Sequence, residues 1–229
     1  MVRISMRNYF SSHLLASAAR SAGLAKQLEE QHQGRSRFDL EHRGYVLSSI
    51  LSAVGFFEAM ANELFQDAYD HHTPDGGAVT PLSMNTRWLM VEYWRATEEG
   101  ARVRVLDKYQ ALLTFAGQSE MDRGNQPYQD ANLAVQLRNA IAHYRSEDLS
   151  ADTPALMEQR LRGKFPDNLL MAGSGNPWWP DKCLGSGCAD WALQAVTACA
   201  DHVTEATGVR ANYAVHRATG WLGNVPGGP

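Results

Sequence analysis

The stretch VLSSILSAVGFFEAMANELFQDAYD, residues 46–70, is the clearest helical pattern in the chain. Its apolar residues recur at steps of three and four and fall on one stripe of a helix. They are Leu47, Ile50, Leu51, Val54, Phe57, Ala61, Leu64, Phe65 and Ala68. The run HHTPDGG at 71–77 follows directly, and its proline and glycines are strong stop signals. We therefore expect a core helix over residues 46–70.

Several further stretches predict helices, and no stretch alternates long enough to predict a strand. Residues 117–127 are predicted to be a polar loop, and residues 165–187, which include Trp178 and Trp179, a long ordered loop. The fold class is therefore predicted to be all-α, a helical bundle in a single domain over residues 1–229. Four further helices are expected at about 14–28, 128–145, 154–164 and 189–206. Another helical segment is expected from residue 86, with a break near Gly100 and a continuation over 106–113.

The composition limits the classes of function. Of the 229 residues, 44% are hydrophobic and 20% are charged, which excludes a wholly disordered chain. The net charge of −4 means that any contact with nucleic acid must be local. No apolar run approaches the length needed to span a bilayer, and residues 1–10 show no secretory signal, so we expect no membrane contact. Three cysteines predict no disulfide framework, and the expected location is cytoplasmic.

The segment LRNAIAHY, residues 137–144, carries the side chains best suited to chemistry. On a helix, Arg138 and His143 lie about 140° apart, with Asn139 and Ala142 between them. Five-residue spacing does not bring an Arg and a His together within one helix. Two interpretations stay open: a solvated polar face, or two copies of the helix that face each other across a two-fold axis, where the small Ala142 allows close approach. The opposite, core-facing side is expected to hold Leu133, Leu137, Ala140, Ile141 and Tyr144.

The pattern Arg138-Asn139-x-x-x-His143 resembles the signature of the HEPN superfamily, an Arg followed by a polar residue and then by a His. The stretch 48–65 is similar to an earlier helix of that family. The resemblance covers roughly residues 45–150 and leaves 1–44 and 151–229 as accessory segments. It implies a helical bundle, a homodimer and, in many members, a metal-independent ribonuclease of toxin–antitoxin or phage-defence systems, with an antitoxin or other regulatory protein as a further partner. Other members are non-catalytic, so the alternative is a helical dimer that binds RNA or a protein partner without cutting it.

The resemblance implies catalytic roles for Arg138, Asn139 and His143, and no cofactor. An RNA 2′-hydroxyl would attack its own adjacent phosphate and leave a cyclic phosphate. Imidazole can serve as base or acid near neutral pH, and a dimer supplies two copies of His143. Arg138 offers its guanidinium to the phosphate, and Asn139 would orient the phosphate or the imidazole. A subgroup with nucleotidyltransferase partners carries a Tyr two residues after the His, where this chain has Arg145.

Glu58 lies within the apolar stripe of the 46–70 helix. Burying a carboxylate alone is costly, so Arg138 is its candidate partner, and Glu58 would then support Arg138 by holding it in position. The alternative is that Glu58 lies at the edge of the stripe and reaches water.

Cys183, Cys188, Cys199 and His202 have the residue types of a zinc site. If the last helix begins early enough to include Cys188, however, Cys188 and Cys199 are about 16 Å apart along it, which is too far to share a metal. Buried cysteines that act as small hydrophobic residues are therefore the preferred interpretation, and no metal ligand is assigned.

Overall fold

The structure, a computed structural model, describes residues 8–32, 36–70, 77–145 and 155–214. No β-strand occurs within these ranges, which confirms the all-α class. Residues 71–76, which hold most of the predicted stop after residue 70, lie outside the described part. The helices are α1 (Ser11–Gln31), α2 (Leu40–Asp70), α3 (Met84–Ala96), α4 (Val105–Phe115), α5 (Tyr128–Ala142), α6 (Leu156–Leu161) and α7 (Ser186–Thr207), with short helical turns at Gly77–Val79, Leu169–Met171 and Trp178–Lys182.

The α2 helix forms the centre of the hydrophobic core and contacts α1, α3, α4, α5 and α7. The α1 helix runs antiparallel along it. Near one end of this pair the Ser49 hydroxyl donates to the Ala18 carbonyl at 2.9 Å, and near the other the Ser11 backbone N–H donates to Glu63 at 2.9 Å. The α7 helix packs against both α1 and α2, so the amino-terminal and carboxy-terminal parts of the chain share one core.

The α2 helix begins at Leu40, six residues before the predicted start. The cause is a polar cap outside the apolar stripe: Asp39 Oδ1 accepts the backbone N–H groups of Glu41 and His42, each at 3.0 Å. A side chain that satisfies these donors lets a helix begin there without apolar residues.

The prediction that Leu51 lies in the core is wrong. Its side chain is 41% exposed, whereas Ile50 and Val54 are fully buried. Leu51 lies about 100° around the helix from Ile50. The apolar stripe read from the sequence is therefore wider than the sector of α2 that other helices cover.

The expectation that no segment could span a bilayer also needs correction. By length and composition alone, α2 is apolar enough to cross a membrane, because its Ser and Gly residues interrupt the apolar runs without making the helix polar. Half of that apolar window is buried within the protein. The core helix of a water-soluble protein passes the same test of length and composition.

A buried polar contact ties α7 to the first two helices. Glu29 of α1 accepts a hydrogen bond from His42 Nε2 at 2.8 Å, and from the backbone N–H and hydroxyl of Ser186 at 2.7 and 2.8 Å. Burial alone would raise the pKa of Glu29, but these hydrogen bonds and the charge of His42 outweigh it and lower the pKa. The Glu29 carboxylate, which belongs to α1, therefore caps the first turn of α7.

The segment between α6 and α7 is anchored by aromatic side chains. Trp178 and Trp179 are both buried. Trp178 stacks on Phe165, with ring centroids 6.2 Å apart, and its indole N–H donates to Asp167 at 2.6 Å.

Candidate functional site

The α5 helix ends three residues earlier than predicted, at Ala142. His143 leaves the helical conformation (φ −115°, ψ 29°) and forms the C-cap, where its backbone N–H donates to the Asn139 carbonyl at 3.0 Å. Leu137 is fully buried, as predicted, but Tyr144 is 48% exposed and does not lie in the core. The periodic extrapolation to Tyr144 fails because the helix that carried it has already ended.

The α5 helix brings Arg138 against Glu58 of α2, where the guanidinium Nη2 and a carboxylate oxygen form an ion pair. The two side chains are 24% and 40% exposed, so Glu58 lies at the edge of its stripe and is also paired. The Nε atom of Arg138 is buried and has no hydrogen-bond partner within the described part of the chain. The guanidinium is therefore oriented by Glu58 while one of its donors stays unused.

Lys108 of α4 is a third charged group in this region that the sequence analysis missed. It is buried, and its ammonium donates to Asn62 Oδ1 at 2.6 Å and lies 5.4 Å from the centre of the Trp94 ring. Burial lowers the pKa of Lys108, and the nearby negative charge of Glu58 opposes that shift. The sequence signal was a lone lysine inside the apolar α4 segment. The charged cluster of Arg138, Lys108 and Glu58 therefore has a formal charge of +1.

A cleft of about 450 Å³ lies beside this cluster. One wall is the face of α5, and the other is the start of α4 with the residue pair Val103 and Arg104 before it. Arg104 is exposed and pairs with Asp107 at 2.7 Å. The cleft therefore combines apolar walls with two arginine side chains, each of which is paired with a carboxylate. The α5 and α2 residues that line it are Tyr128, Asn132, Val135, Gln136, Arg138, Asn139 and Glu58.

His143 lies in a different pocket of about 320 Å³, where Tyr144, Arg145 and Trp179 are among its neighbours. The angular separation on α5 explains this placement, because residues five apart point to different sides of a helix. Within one chain the structure brings Arg138, Asn139 and Glu58 to one cleft and does not bring His143 to it. His143 and Asn139 are both exposed, as is Ala142 between them.

Cys183 and Cys188 lie close enough for a side-chain hydrogen bond between them, whereas Cys199 contacts Met121. Cys183, Cys188 and Cys199 are buried free thiols, and Cys199 Sγ lies 3.7 Å from Met121 Sδ. Burial raises the pKa of Cys199 to about 12, whereas a zinc ligand must be a thiolate. His202 is exposed, and no cluster of three metal-binding side chains occurs among the described residues.

Comparison of the chain with protein-family models, with curated proteins and with solved structures finds no match.

Proposed function

We propose that this chain is a metal-independent endoribonuclease of HEPN type, which works as a homodimer on RNA. The observation that carries the proposal is the pairing of Arg138 with Glu58 at a cleft, with Asn139 beside it and His143 exposed at the end of the same helix. Arg138, held by Glu58 and next to Asn139, suits binding of a phosphate, and His143 suits proton transfer.

Positive charge at Arg138 needs explanation, because a guanidinium paired with a carboxylate has little net charge to offer a phosphate. The buried ammonium of Lys108, whose charge interacts with that of Glu58, supplies the missing positive charge. The cluster as a whole keeps one positive charge, and the exposed part of the Arg138 side chain, 24% of its surface, is the part that can meet a phosphate oxygen.

The dimer is needed because one chain directs Arg138 and His143 to different sides of α5. In the proposed arrangement the exposed Asn139, Ala142 and His143 of two chains face each other across a two-fold axis, and Ala142 allows close approach. One imidazole accepts the 2′-hydroxyl proton as that oxygen bonds to phosphorus. The other donates a proton to the 5′-oxygen as its bond to phosphorus breaks, which leaves a 2′,3′-cyclic phosphate and a 5′-hydroxyl.

The cellular context that we propose is a cytoplasmic toxin–antitoxin or phage-defence system, in which an antitoxin or other regulatory protein restrains the nuclease. This context rests on the family resemblance of the Arg138–His143 motif. The alternative, a helical dimer that binds RNA or a protein without cutting it, needs the same fold but no imidazole.

The test compares RNA cleavage by His143→Ala and Arg138→Ala with two matched controls. His202→Ala removes an exposed histidine on α7, and Arg102→Ala removes an arginine that is 76% exposed and pairs only with Glu98 in the described residues. We expect the first two variants to lose cleavage with an unchanged circular dichroism spectrum, and the controls to retain it. Unchanged cleavage by His143→Ala would remove the catalytic assignment and favour the non-catalytic alternative.

A second experiment tests the composite site. Differently tagged chains allow purification of a dimer with one wild-type chain and one His143→Ala chain. If each cut uses both imidazoles, this mixed dimer is severely impaired, well below the half activity of independent sites. Mixed dimers that retain half the wild-type rate would refute the two-chain mechanism.

A further inference from the structure

The cleft between α5 and the start of α4 contains a row of carboxamide side chains that the proposed chemistry does not fully use. Asn132, Gln136 and Asn139 lie within about 60° of one another on α5, at successive turns of the helix. The side chains of Asn132 and Asn139 make no hydrogen bond within the described residues. The Gln136 oxygen accepts a hydrogen bond from Arg160, and its amide nitrogen donates to no group in the described part of the chain.

Unused amides in a half-enclosed cleft are informative because each presents a donor and an acceptor side by side. That is the pattern on the edges of nucleobases, which asparagine and glutamine pair with in two hydrogen bonds at once. Asn132 is half-buried between apolar cleft residues, among them Val135 and Leu106. A flat base would bury its faces against these apolar walls and reach the amides with its edge.

The guanidinium groups of the cleft suit the phosphate of the same ligand. Arg104 and Arg138 both line the cleft, Arg104 paired with Asp107 and Arg138 paired with Glu58. Its volume of about 450 Å³ is within the usual range for sites that hold small organic ligands. Arg138 and Asn139 both line the cleft, so a phosphate bound to Arg138 places its own nucleoside at the mouth of the cleft.

We infer that this cleft is a nucleotide subsite, in which the carboxamides of Asn132, Gln136 and Asn139 read one base of single-stranded RNA next to the scissile phosphate. The inference rests on the proposed function, since the phosphate on Arg138 is the one that is cut. Asn132 is the specificity-determining residue, because its unused amide is half-buried whereas that of Asn139 is exposed, and because it has no part in the cleavage chemistry.

The test is the base preference around the cut. Wild-type protein cleaves a pool of random-sequence RNA, and sequencing of the new ends gives the base frequency at each position. We expect a preference on the order of tenfold at one position beside the cut, which one bidentate amide–base contact supplies. Asn132→Ala removes most of it, and Asn132→Asp, which replaces a donor by an acceptor at constant size, changes the preferred base. Gln129→Ala, an exposed carboxamide on the same helix and outside the cleft, leaves it unchanged.

An RNA-binding experiment distinguishes failure of this inference from failure of the proposed nuclease activity. RNA molecules that bind the His143→Ala variant are selected from the same random pool and sequenced, with and without the Asn132→Ala change. Circular dichroism shows that each variant is folded. Cleavage without base preference, or with a preference that Asn132→Ala leaves intact, overturns the subsite and leaves the nuclease standing. Absence of cleavage together with a binding preference that depends on Asn132 overturns the nuclease and keeps the subsite. Absence of both cleavage and RNA binding overturns both.

Discussion

Leucine residues 51 and 137 form a matched pair that tests the placement of the two central helices. The sequence predicts both in the core, but the structure buries Leu137 completely and leaves Leu51 41% exposed. Truncation of a buried leucine removes its packing and leaves a cavity, so Leu137→Ala is expected to cost about 2–5 kcal/mol. At this chain length that corresponds to a drop in Tm of about 4–20 °C. Leu51→Ala leaves no closed cavity and is expected to cost about 1 kcal/mol or less.

The measurement is urea unfolding followed by far-ultraviolet circular dichroism, at two protein concentrations for each variant. The expected result is a large loss of stability for Leu137→Ala and a small one for Leu51→Ala. Equal losses for the two variants at both concentrations would refute the orientation of α2. A loss for Leu51→Ala above 2 kcal/mol that grows with protein concentration would instead place Leu51 in a subunit interface, because only association depends on concentration.

Three further predictions concern acid stability, backbone conformation and metal dependence. The lowered pKa of Glu29 means that its stabilising contribution is present above the ordinary value of 4.5 and is lost as the pH falls through the folded-state pKa; Glu29→Gln should therefore flatten the acid side of the stability–pH curve, and an unchanged slope would contradict this. Gly100 has φ +74° and an added Cβ would lie 2.9 Å from Trp94 Cη2, whereas Gly117 has φ +72° with open space around it, so Gly100→Ala should cost more than the roughly 1–2 kcal/mol expected of the backbone alone at Gly117→Ala. RNA cleavage should survive EDTA, and loss of activity with rescue by a divalent ion would show that the chemistry is metal-dependent.

Much of the candidate site was predictable because each part depends on one helix. The separation of Arg138 from His143 follows from the geometry of α5, and the structure places them at different pockets as that geometry requires. The contact between Arg138 and Glu58 was predictable because a carboxylate on an apolar stripe needs a partner. Lys108 was not predictable, because its relation to Glu58 depends on how α4 packs against α2.

The sequence by itself determined the helical class and the approximate position of the helices, because periodicity and capping act over a few neighbouring residues. It did not determine where α5 ends, which moved Tyr144 from the expected core to the surface. Only the tertiary structure decided which part of the α2 stripe is covered and which amides of α5 line a cleft. The physical reason is that burial depends on the neighbours that pack against a helix face, and those neighbours come from distant parts of the chain.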